Sequence, residues 1–293
     1  MSALRIDRLV TTGFVHPALR FARRRTRDRA GALPILMYHS ISDDSEREVS
    51  PYYRTITSPR RFAEHMHILR DQGWRGVSLR EGIQALNNKG CEAGDARPVV
   101  ITFDDGFRDF YTSAVPVLSE CGFTATMYLP AAFIGNERRR FKDRECMTWD
   151  EVRDAARASM EFGSHTVNHP KLVELPWGEI ESELTGSKTA IEQELGENVP
   201  AFAYPFAFPQ ANRDFVERFS AALRTAGYST CVTTEIGCAA AGDDLLRLKR
   251  LPANDADDAG LFAAKINGAY DWLASPQRIA KKVKRMLRRG RSS

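Results

Sequence analysis

The amino-acid sequence predicts an α/β fold, a barrel of about seven parallel strands with helices packed around it. Short apolar runs rich in β-branched or aromatic residues alternate with helix-like segments, and such runs are typical of parallel strands covered on both faces. About seven strand–helix units within 293 residues favour a closed barrel over an open sheet. The composition, 43% apolar and 27% charged, is that of a globular protein and excludes a disordered or fibrous chain.

The apolar runs mark the predicted strands. They occupy residues 33–41, 97–103, 124–131, 159–166, 199–206, 228–234 and 245–253. The first predicted helix starts after Ser58, a good N-cap residue, and ends at Gly73. Four more helices are predicted over residues 112–122, 148–159, 176–196 and 212–227, most of them ending at a glycine.

Charge is distributed unevenly and divides the chain into three parts. Residues 1–29 carry eight arginines against two acids, a net charge of +6, and residues 276–293 carry eight cations and no acid. The total charge of +4 therefore leaves −10 for residues 30–275. We predict one domain over 30–275, a basic extension over 1–29 and a basic tail over 276–293. A protein that binds nucleic acid throughout would not confine its positive charge to its ends.

The tail has the pattern of a helix that lies on an anionic membrane surface. Its apolar residues share one helical face with cations between them, namely Ile279, Val283, Met286 and Leu287. The alternative interpretation is a solvated tail without a fixed partner.

Apolar segments and cysteines indicate the cellular compartment in which we expect the protein. No apolar run is long enough to span a bilayer, and arginines interrupt the mildly apolar segment near the N-terminus, so we expect no secretory signal. Five cysteines without paired spacing predict free thiols in a reducing compartment. We expect a cytoplasmic protein whose basic ends contact the inner face of the membrane.

Candidate reactive side chains follow two predicted strands, at the end where the active residues of parallel α/β folds collect. Asp104 and Asp105 come directly after an apolar run, and two buried carboxylates are costly unless they are paired or bind a metal. His165 and His169 would share one face of a helical turn, so that both rings could reach one cation. Two histidines and a carboxylate are a common catalytic zinc set. The alternatives are a carboxylate that caps the next helix and two surface histidines.

These residues lie in the segments ITFDDG, SHTVNH and FAYPFA. Their order and spacing resemble the first three motifs of the polysaccharide deacetylases, the NodB-homology domain of carbohydrate esterase family 4. The resemblance covers about residues 33–255 and implies that 30–275 is a catalytic domain with a distorted (β/α) barrel of the glycoside hydrolase–deacetylase type. It also implies hydrolysis of an acetamide on an amino sugar. The implied cofactor is a divalent metal, usually zinc, with cobalt, nickel or manganese as alternatives.

The resemblance also assigns roles, residue by residue. It implies three metal ligands, Asp105, His165 and His169. We expect three substrate-binding residues in the third motif, Tyr204, Pro205 and Phe206, with apolar packing as the alternative. Asp104 becomes the general base toward water that the metal activates, and a backbone N–H near Tyr204 helps to hold the oxyanion.

The sequence departs from the usual family pattern in its proton-transfer residues. Ala203 stands where an arginine usually orients the general base, and no histidine follows His169 to act as the usual late general acid. The run LMYHSI at 36–41 resembles the opening of a circularly permuted subset of the family, which makes His39 the predicted general acid. Arg247 or Arg250 could replace the missing arginine, and we select Arg250. Structural roles are the alternative for all three residues.

The combined expectation is an enzyme that removes the N-acetyl group of an amino sugar during cell-surface glycan synthesis. The sugar could be free, lipid-linked, nucleotide-linked or polymeric. Two alternatives stay open: hydrolysis of a non-sugar amide or imide at the same site, and a glycan-binding homologue without activity. Expected partners are the N-acetylated glycan and an anionic membrane. Nucleic acid is not an expected partner, because the domain over 30–275 is acidic.

Overall fold

The computed structural model describes residues 5–19, 32–46, 48–87, 96–274 and 276–277. Within these ranges, eight parallel strands form one sheet: β1 (Ile35–Tyr38), β2 (Trp74–Val77), β3 (Arg97–Phe103), β4 (Thr126–Leu129), β5 (Glu161–Ser164), β6 (Ala201–Ala203), β7 (Thr230–Ile236) and β8 (Leu248–Pro252). Seven of them close a barrel in the order β1, β3, β4, β5, β6, β7, β8, since β8 pairs with β1. The predicted α/β barrel of about seven strands is confirmed.

The eighth strand, β2, lies outside the closed barrel. It pairs with the first half of β3, where Trp74 faces Arg97, whereas β4 pairs with the second half of β3. Gly76 makes this fit possible, because a Cβ atom there would lie 2.6 Å from the Phe123 ring. Our strand prediction missed β2, since WRGV interrupts its apolar residues with a charge and a glycine.

Helices cover the outside of the barrel. In the described ranges they are α1 (Ile6–Val10), α2 (Pro59–Asp71), α3 (Leu79–Asn87), α4 (Val115–Cys121), α5 (Trp149–Arg157), α6 (Trp177–Leu195), α7 (Arg213–Thr225) and α8 (Ala259–Ala264). Helices α2, α4, α5, α6 and α7 agree with the sequence prediction, and α1, α3 and α8 were not predicted. Ser58 caps α2 as expected by accepting from the Arg61 N–H, and Thr148 and Glu151 form a reciprocal capping box on α5.

A hairpin between β4 and α5 reaches over the carboxyl end of the barrel. Its two short antiparallel strands are Arg140–Phe141 and Arg144–Glu145. Lys142 and Asp143 form the turn with φ angles of 51° and 60°, as a two-residue turn with both residues left-handed requires. A bridge between Phe107 and the residue after the hairpin holds its base to the segment that follows β3.

Residues 5–19, part of the predicted extension, form a helical segment that packs on the loop after β8. Arg5 donates to the carbonyl of Ala256 at 2.9 Å, and the Tyr270 hydroxyl donates to Asp7 at 2.7 Å. The domain boundaries stay a prediction, and the predicted tail helix lies outside the described residues. None of the helices in the described ranges has the length and apolarity needed to cross a bilayer.

His65 on α2 is a buried polar residue that joins α2 to β1 and to the loop after β8. Its Nδ1 lies 2.9 Å from the Tyr38 hydroxyl and its Nε2 2.8 Å from the Asp257 carbonyl. The ring stacks on Phe262 at 3.9 Å between centroids. Burial lowers the pKa of His65 to about 4, although Asp257 opposes the shift. The folded protein therefore holds this ring neutral.

We expect His65 to make the fold less stable in mild acid. In the unfolded chain the ring protonates near pH 6.5 and in the folded protein only near pH 4, so stability falls as the pH drops between these values. The loss at pH 4 amounts to about 3 kcal/mol of the free energy of unfolding. Urea unfolding of wild type and His65→Gln at pH 7 and pH 4.5 measures it. If the free energy of unfolding fell equally in both proteins, His65 would not be the group responsible for the loss.

Candidate active site

The first pair of candidate residues follows β3. Asp104 and Asp105 are both buried at the carboxyl end of the barrel. Asp105 has a φ of 76°, and Gly106 follows with a φ of 66°. A Cβ atom at Gly106 would lie 2.9 Å from Ile134, so glycine is required there on both counts. This turn points the two neighbouring carboxylates in different directions, which gives them different partners.

The histidine pair follows β5, in a turn and not in the helical turn that we expected. Thr166 and His169 have φ angles of 72° and 53°. The carboxylate of Glu183 on α6 accepts from the backbone N–H groups of Val167 and Asn168, at 2.8 and 2.9 Å. These bonds stabilise the turn and bring both imidazoles to one side. The expected proximity is therefore present, but left-handed backbone and a buried glutamate produce it.

Asp105, His165 and His169 form a compact set of metal-ligating groups. One ligand atom from each residue lies within 4.8 Å of the others. Asp105 Oδ1 is 3.2 Å from His169 Nε2 and 3.8 Å from His165 Nε2. This oxygen is buried and accepts no hydrogen bond from the described residues. An orphaned buried oxygen facing two ring nitrogens fits a divalent cation, and the donor set suits zinc.

The protonation states also suit ligation. His165 Nδ1 lies 2.8 Å from the Ala203 carbonyl, and donation to this carbonyl leaves the Nε2 lone pair toward Asp105. Burial lowers the pKa of His165 to about 3, so the ring is neutral. Burial alone would raise the pKa of Asp105, but the facing His169 ring and the Lys142 ammonium outweigh it and hold this pKa well below its usual range.

Asp104 has a different partner, Arg250 on β8. The guanidinium donates to both carboxylate oxygens, at 2.7 Å each, and the Arg250 side chain is fully buried. It also donates to the Thr233 carbonyl at 3.0 Å, which fixes its orientation. Burial would raise the pKa of Asp104, but the charge of Arg250 reverses the effect and lowers it. Arg247 instead pairs with Glu235 at 2.6 Å, so Arg250 is the arginine placed at the base.

His39 follows β1 and lies beside the same carboxylate. Its Nε2 is 3.9 Å from Asp104 Oδ2, and its side chain is 19% exposed. Burial lowers the pKa of His39, while the charges of Asp104 and Asp105 oppose the shift. The structure thus brings the predicted acid, base and metal ligands to one end of the barrel. The chemical roles of these residues stay predictions.

Among the three predicted substrate-binding residues, Tyr204 is buried. Its ring packs against Phe208 and Phe219 at 5.0 and 5.3 Å between centroids, and its N–H donates to the Val232 carbonyl at 3.0 Å. The Tyr204 N–H thus continues the ladder beside β7, and the substrate-binding role of Tyr204 stays a prediction. Pro205 is buried as well. Phe206, by contrast, is 44% exposed and its ring lies 4.6 Å from that of His169.

Sequence reasoning missed Lys142, at the tip of the hairpin. Its Nζ donates to Asp105 Oδ2 at 2.9 Å and lies 4.7 Å from the Phe141 ring centroid. Phe141 in turn lies 5.1 Å from His169 between ring centroids. No local pattern in the sequence connects a hairpin tip with a carboxylate 37 residues earlier. Only the folded hairpin reveals this cation next to the predicted ligands.

Comparison with other proteins agrees with this geometry. The family model described as polysaccharide deacetylase matches residues 92–230. The protein YxkH of Bacillus subtilis (strain 168), named for the same family, is 29% identical over 243 residues, which cover 82% of this chain and 77% of YxkH. The deacetylase PplD of Streptococcus pyogenes, solved with acetate, has a TM-score of 0.69 at 27% identity over 80% of this chain and 98% of PplD.

Two further matches support less: one covers under half of this chain, and the other supports the fold alone. The poly-β-1,6-N-acetyl-D-glucosamine N-deacetylase of Escherichia coli (strain K12) is 29% identical over 142 residues, 45% of this chain and 20% of that protein. IcaB from Ammonifex degensii shares the fold, with a TM-score of 0.66 at 22% identity over 82% of this chain and 97% of IcaB. The motif residues at the two strand ends, the barrel and these matches agree: residues 92–230 belong to the polysaccharide deacetylase family.

Proposed function

We propose that this chain is a metal-dependent deacetylase that hydrolyses the N-acetyl group of an amino sugar during cell-surface glycan synthesis. One observation carries the proposal. Three metal-ligating groups converge next to a buried carboxylate that an arginine holds in place with two hydrogen bonds. Ligands for a Lewis acid beside an ionised base are what metal-assisted amide hydrolysis needs.

The roles of the side chains follow from their positions. Asp105, His165 and His169 would hold a divalent cation, which would supply Lewis acidity toward the acetyl carbonyl and toward water. Asp104 takes a proton from the attacking water, and Arg250 orients Asp104 and keeps it ionised. When the C–N bond breaks, His39 supplies the proton that the leaving amine needs, so that acetate and a free amino sugar result.

The sugar class is supported by a relative. The Escherichia coli relative is named for poly-β-1,6-N-acetyl-D-glucosamine, so oligomers of that sugar are the first substrate to test. We expect acetate release from such oligomers in the presence of zinc, and none after chelation. Release from simple amides or imides but not from sugars would favour the alternative hydrolase. Sugar binding without any acetate release would favour an inactive homologue.

We further propose that the enzyme works in the cytoplasm, at the inner face of the membrane. The eight cations of residues 276–293 support this location, because each cation near an anionic surface contributes about 1 kcal/mol. Co-sedimentation with anionic vesicles should weaken when residues 276–293 are deleted. Unchanged binding of the truncated protein would show that the tail has no such role.

Lys142 should oppose metal binding. Its ammonium contacts the carboxylate of a predicted ligand at 2.9 Å, and a unit charge this close to a divalent cation costs on the order of 1 kcal/mol or more. We expect Lys142→Met to raise the zinc affinity of the metal-free protein about tenfold. A competition titration with a chelating dye measures this, with Lys142→Arg as the charge-retaining control. A weaker or unchanged affinity in Lys142→Met would contradict this role.

A further inference from the structure

The large apolar side chains that are exposed in the described part of the chain gather at one end of the molecule. They are Ile6, Leu9, Phe14, Val49, Tyr53, Val173 and Phe206. The last four lie on connections that follow β1, β5 and β6, at the carboxyl end of the barrel. The first three lie on the helical segment 5–19, which is docked on the loop after β8 at that same end. The candidate active site opens at this end as well.

The helical segment 5–19 packs in an unusual orientation. Its polar side chains hold it to the domain: Arg8 pairs with Asp258 at 2.7 Å, and the buried Thr11 hydroxyl accepts from the Trp272 ring N–H at 3.0 Å. Surface helices normally bury their apolar side and expose their polar side. Here the outward side carries Ile6, Leu9 and Phe14, which are 64%, 48% and 75% exposed. We call these three residues the apolar face; three large, exposed apolar side chains on one short segment make it a candidate interaction surface.

The charges of the neighbouring sequence indicate what this face meets. Residues 20–29, directly after the segment, carry six arginines and one acid, and residues 278–293 carry eight cations and no acid. Gln277, where the second basic stretch begins, is bonded to Thr234 and Ile236 at the carboxyl end of β7. Exposed apolar side chains in a chain that also carries two strongly basic stretches fit an anionic lipid surface. A second copy of the chain would bring the same positive charges together and be repelled.

We propose that the apolar face inserts into the surface of an anionic bilayer and turns the carboxyl end of the barrel toward the lipid. This assigns a docking surface that is separate from the candidate active site and does not depend on deacetylation. If the proposed function holds as well, the orientation presents the site to acetylated sugars carried at the membrane surface. Glycans attached to a lipid would then reach the site more readily than the same sugars in solution.

Flotation of the full chain with lipid vesicles tests the proposal. The vesicles are phosphatidylcholine alone and phosphatidylcholine mixed with phosphatidylglycerol. We expect the wild type to float with the anionic vesicles, and the triple variant Ile6→Ser/Leu9→Ser/Phe14→Ser to bind them at least about tenfold more weakly. The apolar variant Ile6→Leu/Leu9→Ile/Phe14→Leu should bind like the wild type. Acetate release from soluble oligomers should be the same in all three proteins, which separates this proposal from the proposed function.

Three results would overturn the proposal. The first is no binding of the wild type to anionic vesicles. The second is equal binding of the serine variant, which would assign the contact to the basic segments alone. The third is a wild-type dimer in solution that the serine substitutions dissociate while vesicle binding stays the same. This result would mean that a second copy of the chain covers the apolar face. Melting temperatures of all variants confirm that each protein is folded.

Discussion

Asp104→Asn should lose nearly all turnover and keep its metal. The amide can still accept a hydrogen bond from Arg250, but it cannot take the proton of the attacking water. Loss of a positioned general base lowers kcat by about 10²–10⁴-fold. The ligand set of Asp105, His165 and His169 is untouched, so zinc content per chain should equal that of the wild type. Acetate release and metal analysis on the same sample measure both quantities.

A matched control separates catalysis from stability. Asp257 forms a second buried ion pair, with Lys265 at 2.7 Å, and lies outside the candidate active site. Asp257→Asn should therefore lower the free energy of unfolding while kcat changes little. If Asp104→Asn kept most of its turnover, Asp104 would not be the base. If it lost its metal, the separation of base from ligands would be wrong.

Arg250→Met should cause the largest loss of stability. The Asp104–Arg250 pair is buried with two bonds of 2.7 Å, and removing one member of such a pair leaves an uncompensated charge. This costs about 3–5 kcal/mol of the free energy of unfolding. Turnover should fall too, because the remaining carboxylate loses its orientation. Urea unfolding at pH 7 gives the stability change directly.

Two variants show whether the cost comes from the charge. Adding Asp104→Asn to Arg250→Met removes the uncompensated carboxylate, so the double variant should regain part of the lost stability. Arg157→Met is the control, since both members of the Arg157–Asp154 pair are exposed and the loss of this pair should cost about 1 kcal/mol or less. Additive losses in the double variant would rule out coupling between Asp104 and Arg250.

The barrel could be predicted from the sequence, and so could the convergence of the candidate residues at its carboxyl end. Both predictions have one physical reason. Parallel strands buried on both faces are continuously apolar, so polar residues such as Asp104, Asp105 and His165 stand out where each strand stops. The structure places them as the strand ends require. Arg250 was harder to select, because Arg247 directly precedes the last strand and Arg250 lies within it, and only the fold shows which of them faces the barrel interior.

The remaining features depend on packing that has no local sequence pattern. The backbone turn that aligns His165 with His169 is stabilised by Glu183, on a helix later in the chain. Lys142 reaches Asp105 only because a hairpin folds over the barrel end. Tyr204 pairs with β7 and its ring turns into the core, which the motif alone does not indicate. Such features follow from tertiary contacts between distant segments.

Calorimetric titration of the metal-free protein with zinc, alongside His169→Ala, tests the central claim most directly. We predict one zinc ion per chain in the wild type. Removal of an outer hydrogen-bond partner of a metal ligand lowers metal affinity roughly 10–100-fold. His169→Ala removes a predicted ligand itself, so we predict a larger loss of zinc affinity. Acetate release should rise in proportion to the zinc bound. Equal zinc binding by both proteins, or full activity of the metal-free wild type, would contradict the claim that Asp105, His165 and His169 hold the catalytic ion.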